Sequence, residues 1–175
     1  MDAYVHASPE VQILAKKIDL PARFLRFGIT DLTRQNLKAV QPILHAHLNG
    51  LSTRFYEFLR RFPEAERVFQ SHDRDTLREY LHRHWMRVLQ GAYDEDYVIA
   101  ALTIGYVHYK VQVPPHLYMA GYNYFLSSFL QVIATDYRGS DFAAATASVS
   151  KVILFDMSIT LTAFMVSALQ GDPRD

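Results

Sequence analysis

Residues 97–123 read YVIAALTIGYVHYKVQVPPHLYMAGYN, and their spacing decides how the rest of the chain is read. The apolar residues recur at threes and fours, so that Tyr97, Ala101, Ile104, His108 and Val111 fall on one face of a helix. A lone histidine interrupts that stripe. Pro114-Pro115 then breaks the chain, the second proline being suited to the first turn of a new helix.

The same helical period extends outward in both directions, and no stretch carries the period-two alternation of a strand. Gly91 stops the preceding helix and Asp94 caps this one. That preceding helix starts at Asp73 or Asp75 and carries Leu77, Tyr80, Leu81, His84, Trp85 and Val88 in a stripe. Earlier still, Leu51, Phe55, Phe58, Leu59 and Phe62 share a face of a helix expected over 51–62 and ended by Pro63. Asn49-Gly50 predicts the end of a separate helix, capped by Thr30 or Asp31 and bent at Pro42. Pro9 opens a short leading helix to about Ile18, and the stretch to Gly28 reads as connection. On the other side, the helix from Pro115 runs to about Tyr137, Gly139-Ser140-Asp141 combines a stop with a cap, and a last helix runs from Phe142 to about Leu169. The expected fold class is all-α.

At 175 residues the chain has the length of one domain with one core. Half of it is hydrophobic, with 11 Tyr and 11 Phe, which excludes a disordered reading. Eighteen basic and eighteen acidic residues cancel, so nucleic acid is not an expected partner. The absence of cysteine removes disulfides, zinc-thiolate sites, iron–sulfur clusters and thiolate haem ligation together. The first twenty residues carry Asp2, Glu10 and Asp19 without an apolar core, and a cytoplasmic location is expected. Residues 152–169, VILFDMSITLTAFMVSAL, approach the length of a membrane span. Asp156 in the middle, diluted further by Ser158, Thr160, Thr162 and Ser167, favours a helix buried on most of its faces instead, so no membrane partner is expected. A helix so apolar all round invites a second copy of the chain, and a homodimer is expected.

For the lone His108 two readings stand: a core imidazole with satisfied nitrogens, or a metal ligand. Tyr56 on a separate Phe-rich helix supports the second, because one imidazole for iron and one donor for a gas is how a haem pocket is furnished. Other metal sites fit less well. No two histidines stand three or four apart, and Glu79-x-x-His82 has no second copy for a di-iron bundle. Neither Gly-x-Ser-x-Gly nor a phosphate-binding glycine loop occurs, so no enzyme is expected.

Four segments resemble the globin-coupled sensors and related protoglobins, in family order. They are RFYEFLRRFPE at 54–64, LREYLHRHW at 77–85, GAYDEDY at 91–97 and IGYVHYKVQVPPHLYMAGYN at 104–123, which together cover roughly Leu51 to Tyr124. The resemblance implies a globin-like fold with an extra N-terminal helix, dimerising through the last two helices. Residues 1–28 would be the leading helix and connection, 29–170 the globin core and 171–175 the start of a linker to an output module such as a diguanylate cyclase, kinase or chemotaxis domain. It implies haem b as cofactor, His108 as proximal iron ligand and Tyr56 as distal hydrogen-bond donor to O2, with CO and NO as further ligands. Leu77 would gate the ligand, Tyr80 would be a second distal side chain, and Phe55, Phe69, Leu81, Trp85, Ile104, Val111, Tyr118 and Met119 would contact the cofactor. His84 or Tyr80 could close onto the iron when no gas is bound. The chain departs from the family at Lys110-Val111-Gln112-Val113, where Arg-Ile-Gly-Leu is usual, and at Leu117, where an aromatic is common. Tyr80 stands where some relatives carry a smaller residue. Besides a gas sensor, a stand-alone O2-binding or redox globin and a cofactor-free helical interaction module remain open.

Overall fold

Side-chain caps set the helix starts in the computed structural model, which describes residues 7–69 and 73–170. The expected linker at 171–175 lies outside them. In α1, Pro9–Ala15, the Ser8 hydroxyl accepts from the first turn. Asp19 caps α2, Leu20–Phe27, which ends at Gly28 with φ 62°. A capping box of Thr30 and Thr33 opens α3, Asp31–Leu59. After the short α4, Pro63–Phe69, Asp73 caps α5, Arg74–Gln90, which ends at Gly91 with φ 77°. Asp94 caps α6, Glu95–Lys110. Then come α7, Pro115–Asp136, and α8, Phe142–Gln170, whose first turn bonds to Asp141. Among the described residues there is no strand.

Four expectations are corrected. The stretch before Gly28 is a helix: Pro21 sits in its first turn, where no N–H is needed, and Gly28 closes it with bonds to Leu25 and Phe24 carbonyls. The leading helix stops at Ala15, short of Ile18. Asn49-Gly50 does not end a helix, because α3 runs through both it and Pro42. Buried Leu37, Val40, Leu44, Leu48 and Leu51 continue one stripe across the glycine. Burying one leucine is worth about 1.5–3 kcal/mol, against about 1 kcal/mol for glycine in a helix, so packing wins. The helix expected over 51–62 is the end of α3 and stops at Leu59, and Pro63, expected to end it, opens α4 instead.

A different penalty is paid after α6. Gln112, where the resembled pattern has glycine, adopts φ 58°, the one non-glycine residue with positive φ among those described. The turn is kept despite the substitution: Val113 N–H donates to the His108 carbonyl and Gln112 N–H to that of Tyr109.

The core runs along α8. Val149, Val152, Ile153, Phe155 and Ile159 are fully buried against α3, α6 and α7, and Asp156 lies among them with no exposed surface. By length and composition α8 could cross a membrane; here its inner face is covered by the other helices. Its closest neighbour is α6. At Gly105 a Cβ would lie 1.9 Å from the Thr160 carbonyl oxygen, so the two backbones touch and only glycine fits.

Candidate functional site

The large aromatic residues leave an apolar cavity between α3, α4, α5, α6 and α7. It opens to solvent and holds about 160 Å³ of accessible space, far more than a trapped water needs. Phe55, Tyr56, Phe69, Leu77, Tyr80, Leu81, Trp85, Ile104, His108, Val111 and Tyr118 all line it, so the structure brings eleven expected site residues to one space. Met119 is the exception. It is half exposed and is not among the lining residues, because α7 turns Tyr118 and Tyr122 inward and leaves Met119 on the outer face. The single-sequence signal could not separate Met119 from its neighbour Tyr118, since the helix after Pro115 is apolar on more than one side.

His108 comes from the last turn of α6. Its Nδ1 lies 2.8 Å from the Ile104 carbonyl one turn back, which can only accept. The ring proton is therefore on Nδ1, and Nε2 keeps a lone pair. Burial pushes the imidazole pKa down to about 4, against the opposing pull of the Ile104 hydrogen bond, so the ring is neutral at pH 7. Tyr118 holds the ring from the α7 side, centroid to centroid 4.8 Å, and Phe164 of α8 stacks on Tyr118 at 5.8 Å. A neutral, positioned imidazole lone pair on an apolar cavity wall is a metal ligand's arrangement.

Much of the remaining cavity wall is aromatic. Tyr56 meets Phe55 at 5.6 Å and Phe69 at 5.5 Å, both edge-on, and Trp85 meets Phe125 at 4.6 Å. Gly121 lets α7 come close to this wall, since a Cβ there would be 3.3 Å from the Phe55 ring. The indole N–H of Trp85 is buried with no hydrogen-bond partner. The orphaned donor leaves a place for a ligand's acceptor, and an imidazole on an apolar, aromatic cavity wall is what a flat metal-centred macrocycle requires, so the residues fit haem.

Some lining residues had no sequence signal as site residues: Leu59, Ala65, Val68, Val113, Leu117, Gly121, Tyr122 and Phe125. Only Leu59 stood in a stripe read from the sequence; Ala65 and Val68 lie on α4, which the sequence reading did not expect, and Gly121, Tyr122 and Phe125 on a helix with no stripe assigned. His84 also lines the cavity, from α5. Its Nε2 lies 3.0 Å from Oδ2 of Asp156 on α8. Asp156 also takes the Tyr97 hydroxyl from α6 on Oδ1 and the Tyr122 hydroxyl from α7, 2.7 Å away on Oδ2. Burial pushes the Asp156 carboxyl up, but the charge and hydrogen bond of His84, with the two tyrosine hydroxyls, outweigh it and hold the pKa below the ordinary value. Burial and the nearby carboxylate push both tyrosines well up, so their hydroxyls remain donors.

Comparison with known proteins bears on the fold and the family. A family profile described as Protoglobin matches residues 14–168. The chain is 26% identical over 155 residues to the heme-based aerotactic transducer HemAT of Halobacterium salinarum, a match that covers 82% of this chain. It spans about a third, 32%, of that relative's length. Among solved structures, the globin domain of the Geobacter sulfurreducens globin-coupled sensor superposes with a TM-score of 0.76 at 18% identity, covering 83% of this chain and 97% of that one. The ferric globin domain of E. coli DosC gives 0.58 at 21% identity, covering 90% and 97%.

Proposed function

This chain belongs to the protoglobin family, and we propose that it is a haem-based gas-sensor domain that binds O2 at an iron held by His108. It has the globin fold of globin-coupled sensors. The observation that carries the proposal is the state of His108: neutral, fixed through Nδ1, and placed on the wall of an open apolar cavity with its second nitrogen left for a ligand. When bound, the haem b supplies a ferrous iron with one open coordination position for a diatomic gas.

The chain's residues divide the remaining work. We assign Tyr56 as the hydroxyl donor to O2, Tyr80 as a second side chain on the gas side and Leu77 as the gate; all three line the cavity. CO and NO, which take on less negative charge, depend less on that donor. Trp85, Phe55, Phe69 and Phe125 exclude water and cover the macrocycle faces. Arg87, half buried, lines a second cleft that shares Tyr80, His84 and Ile104 with the cavity. Arg83 lines the same cleft but is paired with Glu79, which leaves Arg87 as the cation we assign to a carboxylate at the cofactor's edge. The exposed Leu154, Met165 and Leu169, which helical spacing puts on one side of α8, form the face on which a second copy docks. A cytoplasmic homodimer carrying an output module on its C-terminal side is the assembly in which a sensor of this kind works.

Absorption spectra of the ferrous protein with and without O2 test the reading. We expect a Soret band that shifts with O2 in the wild type and is lost in His108→Ala. Colourless protein that refuses hemin, or a wild-type spectrum in His108→Ala, overturns it.

A further inference from the structure

His84 and His108 line the same cavity from different helices. A second imidazole facing a metalloporphyrin is a competitor for its open position, since neutral imidazole is among the commonest iron ligands. A helix-borne histidine reaches furthest with Nε2, and that is the nitrogen lying 3.0 Å from Asp156 Oδ2. The anchor itself is fixed from every side. Asp156 is fully buried and also receives hydroxyls from α6 and α7, and Tyr122 is bonded in turn to Thr160 at 3.1 Å. One turn further along α8, the Thr160 carbonyl rests against Gly105.

We propose that Asp156 is a positioning residue that holds the His84 imidazole against α8 and so keeps it off the haem iron opposite His108, leaving that position open for gas. The inference rests on the haem reading above. For His84 to ligate iron, it must give up a charge-assisted bond and leave a buried carboxylate one donor short. In the wild type the bond is kept and the sixth position stays open.

The test compares the holoprotein of wild type, Asp156→Asn, and Asp156→Asn with His84→Phe. The ferrous, ligand-free wild type shows the single broad visible band of five-coordinate high-spin haem. Asp156→Asn, with a neutral amide in place of the carboxylate, shows the sharp split bands of a low-spin bis-imidazole haem. Closing the position in about nine molecules of ten slows CO binding about tenfold. Adding His84→Phe restores the five-coordinate spectrum and the CO rate, which a general loss of packing would not do. A low-spin resting wild type overturns the inference, as does an Asp156→Asn spectrum identical to wild type, or low-spin bands that survive His84→Phe. These outcomes leave the haem reading intact, whereas failure to take up hemin fells both. Should Asp156→Asn not fold, nitrogen NMR of the wild-type ferrous CO form decides: a protonated, slowly exchanging His84 Nε2 supports the inference, and an unprotonated Nε2 overturns it.

Discussion

His108 and Asp156 are both polar side chains set among apolar helices, and they are furnished in opposite ways. Asp156 is saturated: three donors from three helices converge on one carboxylate. His108 is left with valence to spare, one nitrogen tied to its own helix and the other uncommitted. Fold-holding groups are completed by the chain, whereas a ligand's site is completed by the ligand.

The sharpest way to break the comparison is to delete each group from the apoprotein. Asp156→Ala strands His84, Tyr97 and Tyr122 together, and urea denaturation should show a loss of about 3–5 kcal/mol. His108→Leu replaces an imidazole the apoprotein does not use with an apolar side chain, and should change stability by less than about 1.5 kcal/mol in either direction. Equal losses at the two sites would erase the distinction.

Acid sharpens it further. The folded carboxyl of Asp156 titrates below its ordinary value, so its contribution to stability is fully present above the unfolded carboxylate pKa of about 4 and is lost as pH falls through the folded value. Asp156→Asn should therefore lower stability at neutral pH and flatten the acid limb of a stability-against-pH curve. An acid limb of unchanged steepness counts against a paired carboxylate.

On the cavity side, Tyr56→Phe removes one hydrogen bond to a ligand. A donor of that kind is worth about 1–2 kcal/mol, so stopped-flow should find O2 release faster severalfold or more and CO release nearly unchanged. The smallest effect belongs to Gln112, which plays no part in either group. Relieving its left-handed backbone with Gln112→Gly should raise the melting midpoint by the equivalent of about 1 kcal/mol, with the haem spectrum unaltered.

The contrast also explains what the sequence made visible. His108 could be found because it interrupts an apolar stripe just before a double proline, both local signals. Asp156 stood out too, but only as a reason against a membrane span. Its three partners lie 34, 59 and 72 positions away along the chain (156 − 122, 156 − 97 and 156 − 84), and no local period brings them together. The missed α2 and the unbroken α3 have a related cause. Proline and glycine were read by intrinsic preference, while Pro21 sits where that preference is harmless and Gly50 sits where neighbouring leucines overrule it.

Gly105 stands three residues before His108, at the place where α6 and α8 meet backbone to backbone. With no side chain between them there is no compressible layer at that point, so the distance between the two helix axes is fixed there by backbone alone. A substitution at Gly105 would be felt along both helices, in the turn of α6 that carries the imidazole and in the stretch of α8 from Thr160 to exposed Met165.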